Sequence, residues 1–299
     1  MKTIIPEETA TRDLHQYLLG SVAPRPIAFV STVDSKGHYN LAPYSFFNCF
    51  SSNPPILVFS SNRRVVDNTT KDTLSNIEQN KEVVINVVNY AIVRQMAVTS
   101  VQFPTGVSEF EKSGLTPIPS DLVAPPRVAE SPVHMECKVD RIITLGDKGG
   151  AGHLIICKVL RMHIDENVLD ERNRIDPHKI DLMGRMGRAY YVRASGTAVT
   201  PIVQAVTQMV IGYDALPPFI KQSQLLTGNH LGQLAGLTEW PDVKEAEAYS
   251  ATHAEWKNLK EQFSDYQAVE QRVVELLEVG DNREEAAKVL QAAHSLFKA

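Results

Sequence analysis

The 299-residue chain is 43% hydrophobic and 22% charged, the balance of a folded globular protein and not of a disordered one. Its 35 acids against 30 bases leave a formal charge of −5, which excludes a nucleic-acid binder built on phosphate neutralisation but not a local pocket for one small anion. Three cysteines, Cys49, Cys137 and Cys157, show no CxxC spacing, which speaks against a disulfide framework or zinc ribbon and for a reducing cytoplasm.

The first twenty residues, MKTIIPEETATRDLHQYLLG, carry acids early and no long apolar core, so they do not read as a secretory signal. PIAFVSTV (26–33) is a short apolar run closed by the turn residues DSKGHYN. NLAPYSFFNCFSSNPPILVFS (40–60) follows, with Ser45, Asn48, Ser51 and Ser52 too close together for a core strand, until PILVFSS (55–61) resumes the apolar pattern. A helix is expected after Asp72, with Leu74 and Ile77 on one face, and another over roughly 91–98. EVVINVVN (82–89) is a β-branched strand. The proline-rich stretch 110–132 reads as an extended loop laid against the rest. VHMECKVDRIITL (133–145) and HLIICKVLRMHI (153–164) close the series of strands. Strands separated by Gly, Pro and Asn, without regular alternation with helices, predict a mainly β domain whose antiparallel sheet closes into a barrel.

The uncharged stretch 194–213 is long enough to raise the membrane question, but its Ser, Thr, Gln, Gly and Pro residues are too polar for a spanning helix. It reads as a linker followed by a buried helix. Beyond it the period changes. Trp256, Leu259, Phe263, Tyr266, Val269, Val273, Leu276 and Leu277 recur at helical spacing. Gly280 stops that helix, and Asp281 or Asn282 can cap the next. The chain thus divides into a domain over 1–199 and an α-helical extension over 200–299.

The glycine-rich GDKGGAG (146–152) has strands on both sides, which makes it a hairpin loop instead of a dinucleotide fingerprint. In NTTKDTLSNI (68–77), Lys71 precedes Asp72 at a helix start. Free N–H groups, the helix dipole, the lysine charge and the hydroxyl of Thr73 or Ser75 suit a phosphate. The plain alternative is that Asp72 caps the helix and Lys71 is solvated. No HExxH, HxH or His/carboxylate cluster is seen in the sequence, so no metal site is expected. His153 stands out because it opens a strand directly after the glycine-rich loop. No GxSxG elbow is present, and Cys49 reads as a small core residue, not a nucleophile.

In order, PRPIAFVSTVDSKGHYNLAPYSFFNCFSSNPPILVFS, KDTLSNI, SGLTPIPSDLVAPPRVAESPVHMEC, GHLIICKVLRMHIDE and RIDPHKIDLMGRMG resemble the flavin reductase-like, flavoredoxin-type proteins over about residues 10–196. The resemblance implies an FMN-binding split β-barrel of antiparallel, Greek-key type, homodimeric, with FMN held noncovalently near the subunit interface. It makes Ser31, Thr32, Tyr44, Ser45, Asn48, Ser51 and Ser52 candidates for the flavin ring and ribityl chain. Lys71, Asp72 and Thr73 become candidates for its phosphate, and His153 is placed facing a nicotinamide or second substrate. The residue chemistry agrees: a buried flavin edge needs donors and acceptors, and its faces want aromatic neighbours such as Tyr44, Phe46, Phe47 or Phe50.

The expected activity is NAD(P)H-dependent flavin reduction, with NADH or NADPH as donor and no side chain needed as general base. The alternative is an FMN-carrying electron-transfer protein reduced by a protein partner. A flavin-free binding protein on the same barrel is a third reading. A protein electron acceptor or monooxygenase partner completes the expected set; nucleic acid and membrane do not belong to it.

Overall fold

The computed structural model describes residues 1–204 and 207–298. The chain splits into two compact units, Met1–Val199 and Thr200–Ala299.

In the first unit the strands are β1 (Ala28–Val33), β2 (Tyr39–Tyr44), β3 (Phe47–Ser52), β4 (Pro55–Asn62), β5 (Glu82–Val87), β6 (Pro117–Ile118), β7 (Arg127–Val128), β8 (Val133–Thr144), β9 (Gly152–Ile164), β10 (Leu182–Arg185) and β11 (Tyr191–Ala194). Seven of them form one sheet in the order β2-β1-β5-β8-β9-β4-β3, antiparallel at every pairing. β2 and β3 are its opposite edges, yet only Ser45 and Phe46 join them. With neighbouring strands about 4.8 Å apart, two residues cannot cross a flat seven-stranded sheet, so the sheet must roll until its edges meet. The Ser60 N–H donates to the Phe46 carbonyl at 2.8 Å across that closure.

Alternation decides which side chains fill the barrel. Val30, Tyr44, Phe59, Ile85, Cys137 and Ile155 point inward and are buried together. Helix α2 (Asp72–Asn80) packs Leu74 and Ile77 on the same core, as its spacing predicts. On the outside, Phe29, Leu41 and Val88 pack with Met96 of α3 (Val93–Val98) and Phe110 of α4 (Glu109–Ser113). Helix α1 (Thr11–Ser21) precedes the barrel and buries none of its residues. A short α5 (Pro177–Ile180) leads into β10.

The proline-rich segment is strapped to the barrel through polar groups. Ser31 donates its hydroxyl to the Pro126 carbonyl, and the Ala124 and Val128 N–H groups reach Glu82 and Asn86, each at 3.0 Å. Glu136 is fully buried and takes the N–H groups of Asp121 and Leu122. The expected loop is therefore more ordered than its prolines suggest: it holds α4 and the β6–β7 pair.

The glycine-rich segment is the β8–β9 hairpin loop, as its flanking strands require. It lies tightly on residues 62–65. A Cβ at Gly149 would stand 3.0 Å from the Arg64 carbonyl oxygen and 3.1 Å from the Val65 Cα. Close approach of two backbones, not nucleotide binding, accounts for glycine there.

The second unit is helical: α6 (Pro218–Lys221), α7 (Gly228–Ala235), α8 (Val243–Thr252), α9 (Leu259–Gln262), α10 (Tyr266–Val279) and α11 (Arg283–Lys298). It has its own core, with Trp256, Leu234, Val273 and Leu290 nearly or fully buried. The apolar run 256–277 that reads as one helix is two, α9 and α10: Asn258 takes a left-handed conformation before α9, and Asp265 caps a new start at the Ala268 N–H. Gly280 ends α10 as expected. Of the stretch 194–213, residues 205–206 lie outside the described residues, and the described remainder of 200–213 holds no helix. The buried helix expected there is thus not seen; Met209 is 91% exposed. Among the described residues about 34% are helical and 25% strand, so "mainly β" is too narrow a description. No helix among the described residues is long and apolar enough to cross a membrane.

Candidate functional site

Two cavities flank the loop that follows β4. The first is a polar cleft of about 540 Å³ between the start of α2, β2, loop 64–70 and loop 99–105. Lys71 is the N-cap of α2, and no side chain caps that helix end, so its first N–H groups take no side-chain acceptor. The Lys71 ammonium lies 4.6 Å from the centroid of the Tyr44 ring. Among the described residues it forms no ion pair. Burial, together with the nearby Arg64 charge, lowers its pKa below the ordinary lysine value.

Arg64 shares the cleft, its Nη1 donating to Thr69 Oγ1 and the Thr70 carbonyl, both at 2.7 Å. Glu109 also lines the cleft, near enough to Lys71 for the two charges to act on each other, and its Oε2 accepts the Leu41 N–H at 2.9 Å. Burial raises its pKa. Thr73 is buried and accepts from the Asn40 amide at 2.9 Å. Asn40 and Asn76 also donate to Thr32, at 3.3 and 3.0 Å, so Thr32, Asn40, Asn76 and Thr73 form one network under the cleft.

The barrel interior below it contains polar atoms without partners. Tyr44 Oη, Ser61 Oγ and His153 Nε2 are each buried and lack a hydrogen bond of ordinary length and angle, although the Thr73 and Ser61 hydroxyls stand close enough to Tyr44 to act on its phenol. Ser61 and His153 are directly opposed across β4 and β9. Desolvation raises the Tyr44 pKa to about 12, which keeps the phenol a neutral donor. Unpaired buried groups of this kind are uncommon and call for a partner.

The second cavity is an apolar groove of about 690 Å³ on the outer face of β3, β4 and β9, roofed by α1. Phe46, Phe50, Val58, Leu145 and Leu154 line it, with Asn48, Ser60 and Asn62 as its polar groups. Strand alternation thus divides the aromatics of 44–50: Tyr44 faces the interior, Phe46 and Phe50 the groove, and Phe47 borders both.

Among the residues singled out from sequence, Lys71, Asp72 and Thr73 line the cleft, with Tyr44 and Thr32 at its base. Asn48 lies in the groove instead. Ser45 sits in the β2–β3 link, where its hydroxyl meets Arg25 Nε at 3.4 Å. Ser51 and Ser52 end β3 and line neither cavity. Two expectations need correction. Ser31 points to the face of β1 opposite Thr32 and is taken up by Pro126. His153 is only 6% exposed and turned into the barrel, with Nδ1 3.1 Å from Thr144 Oγ1, so it does not face an outer substrate. Cys49, read as a core residue, is exposed on β3. A His/carboxylate cluster does form, from Asp121, Glu136 and His163. Its atoms are spent on one another and on Arg161, which binds Asp121 at 2.7 Å.

Residues 19–190 match the flavin reductase like domain. The chain belongs to the flavin reductase-like family. An uncharacterized protein of Aquifex aeolicus (strain VF5) is 40% identical over 190 residues, covering 64% of this chain and 94% of that one. Nitrilotriacetate monooxygenase component B from Bacillus cereus is 34% identical with a TM-score of 0.61, over 64% of this chain and 95% of that one. A putative flavin reductase with a split barrel domain from Shewanella frigidimarina NCIMB 400 is 25% identical with a TM-score of 0.56, over 66% and 96% of the two chains. The flavin reductase-like match ends before the helical unit begins, and it contains both cavities' strand and loop residues. Sequence reading missed Arg64, Glu109 and Ser61. Arg64 stands seven residues before Lys71 and was the one legible signal, a second cation near a phosphate candidate.

Proposed function

We propose that this chain binds FMN and acts as an NAD(P)H-dependent flavin oxidoreductase. One observation carries the reading: Lys71 is a half-buried ammonium that forms no ion pair among the described residues, set at an uncapped helix start among threonine hydroxyls. That is the donor set for a phosphate monoester. The unpaired Tyr44 Oη and Ser61 Oγ beneath it, and the aromatic groove beside it, fit the polar and apolar parts of the same molecule. When bound, FMN supplies the two-electron chemistry, with a reduced nicotinamide as donor. The chain's own task is to hold the phosphate at Lys71, to satisfy the ligand's polar edge and to keep water from it.

The experiment is a flavin titration of the purified chain, followed by anaerobic mixing with NADH or NADPH. Saturable FMN binding and bleaching by a nicotinamide support the reading. No binding of added FMN sinks it. Flavin that stays oxidised with both nicotinamides but is reduced by a protein donor favours the electron-transfer role instead. A monooxygenase component is the class of partner that the Bacillus cereus relative suggests.

A homodimer belongs to this proposal. Helix α1 has 11 residues and buries none of them, although it carries Leu14, Tyr17, Leu18 and Leu19. A helix of that length is marginal without packing. A second copy laid on α1 would supply it. Leu18, 51% exposed, is the position to test: Leu18→Asp should shift light scattering from dimer mass to monomer mass. A wild-type chain that is monomeric at all concentrations would end this part of the proposal.

The helical unit has a separate core, so we expect a chain of residues 1–199 to bind FMN with unchanged Kd. Loss of binding on truncation would assign the helical unit a part in the site.

A further inference from the structure

The apolar groove under α1 carries an uncompensated charge at one end. Among its described lining residues Arg63 holds the one permanent charge, and no carboxylate is present. Arg63 follows β4 directly and is half-buried. Its Nε donates to Asn68 Oδ1 at 2.7 Å and its Nη2 to the Asn68 carbonyl at 2.8 Å, which fixes the guanidinium against the loop after β4. Among the described residues its Nη1 makes no hydrogen bond and the side chain forms no ion pair. The neighbouring polar groups are already taken. Ser60 Oγ donates to Asn62 Oδ1 at 2.8 Å, and Asn62 Nδ2 donates to the Gly150 carbonyl at 3.2 Å.

The walls at this end are apolar and aromatic. Ser60 stands three residues before Arg63, with its N–H on the Phe46 carbonyl and Leu154 opposite it across β4 and β9. Three residues of strand span about 10 Å, the scale of one ring carrying an acid group. Leu145 closes the end from the hairpin, its N–H on the Gly152 carbonyl at 2.9 Å. His15 of α1 stands edge-on to Phe46, ring centroids 6.2 Å apart, so the roof and the wall both present rings.

We propose that the arginine end of this groove binds a small aromatic carboxylic acid as a second ligand, its ring on Phe46, Leu145 and Leu154 and its carboxylate on Arg63. The inference rests on the flavin reading above, because it makes the acid the flavin's neighbour in one site. An apolar cavity with a single placed polar group orients a ligand that has one apolar body and one polar head. The planar guanidinium fork matches a carboxylate, and one anion balances the one cation.

Isothermal titration of the full-length chain, with and without saturating FMN, tests this with benzoate, benzamide and cyclohexanecarboxylate as probes. Benzoate should bind in both conditions, and the uncharged benzamide and the non-aromatic acid more weakly. Arg63→Gln should weaken benzoate by about tenfold or more, the scale of one hydrogen bond to a charged group, and leave benzamide unchanged. Because Arg63 also holds Asn68, a second variant leaves that loop alone: Leu145→Glu, at a position 61% exposed, adds a carboxylate to the rim and should weaken benzoate but not benzamide. Folded variants of both kinds that bind benzoate as the wild type does overturn the proposal. Wild-type protein that does not bind benzoate, or binds benzamide or cyclohexanecarboxylate equally well, overturns it too. Displacement of benzoate by one equivalent of FMN gives the groove to the flavin alone, which overturns this inference and leaves the flavin reading intact. Failure to bind FMN overturns that reading and the shared site together.

Discussion

Replacing Lys71 by alanine should weaken FMN binding by about 1.5–3 kcal/mol, the range for a hydrogen bond to a charged group. That is roughly a tenfold to hundredfold rise in Kd. The effect should be confined to phosphate-bearing ligands, so riboflavin affinity should change little. Stability should move the other way or not at all. Lys71 is half-buried, forms no ion pair among the described residues, and has a pKa lowered first by desolvation and then by Arg64. A lysine whose folded pKa lies below its unfolded value binds fewer protons when folded, so the free chain should gain stability as pH rises between the two values. Removing the side chain removes that penalty. A residue whose loss costs binding but not stability is kept for the ligand. Isothermal titration and urea unfolding of Lys71→Ala measure both. An unchanged FMN Kd would move the phosphate to another place; a large loss of stability would make Lys71 a structural residue.

The legible part of this protein was the part governed by local pattern. Apolar runs with turn residues between them marked β1, β4, β5, β8 and β9 within a few residues, because strand pairing and burial act on each run directly. The segment 39–52 was legible as unusual but not as two strands, since its hydroxyls and aromatics hide the alternation. Helix α1 was missed although Leu14, Tyr17 and Leu18 recur at helical spacing, because the run is short and none of its residues is buried. The helical unit shows the reverse error. Apolar spacing carried through 256–277 suggested one helix, because the residues between its breaks continue to point into the same core.

The site was legible where its chemistry is contiguous and illegible where topology assembles it. Lys71, Asp72 and Thr73 adjoin in sequence and line one cleft. Glu109 reaches that cleft only because α4 packs against β2, and Ser61 meets His153 only through the register of β4 and β9. Ser31 and Thr32 could not be told apart by composition. One alternation step sends the first to the strap and the second to the cleft network. The cluster of Asp121, Glu136 and His163 was absent from the sequence reading because 42 positions separate its ends (163 − 121).

That cluster supports the last expected result, a large loss of stability in Glu136→Ala. Glu136 is fully buried on β8. Its Oε1 accepts the Asp121 N–H at 3.0 Å and His163 Nε2 lies 2.6 Å away, while Oε2 accepts the Leu122 N–H at 2.6 Å. The alanine removes every one of these acceptors and empties a fully buried position, while the donors, on the exposed Asp121 and Leu122 and the half-buried His163, can turn to water, so the cost expected is about 1.5–3 kcal/mol, the range for hydrogen bonds to a charged group. Desolvation alone would raise the Glu136 pKa, but the Asp121 N–H, the His163 ring and the Leu122 N–H outweigh it, and the net shift is downward. A carboxylate with a lowered folded pKa contributes stability above its unfolded value, about 4.3, and loses it as pH falls through the folded one. The wild-type barrel should therefore weaken below about pH 4.3, and Glu136→Ala should flatten that part of the profile. The two tryptophans, Trp240 and Trp256, both lie in the helical unit, so their fluorescence reports that unit. The variant's loss should appear in the far-ultraviolet circular dichroism of the sheet while the tryptophan transition stays in place. A shift of the tryptophan transition by the same amount would mean that the two cores unfold as one.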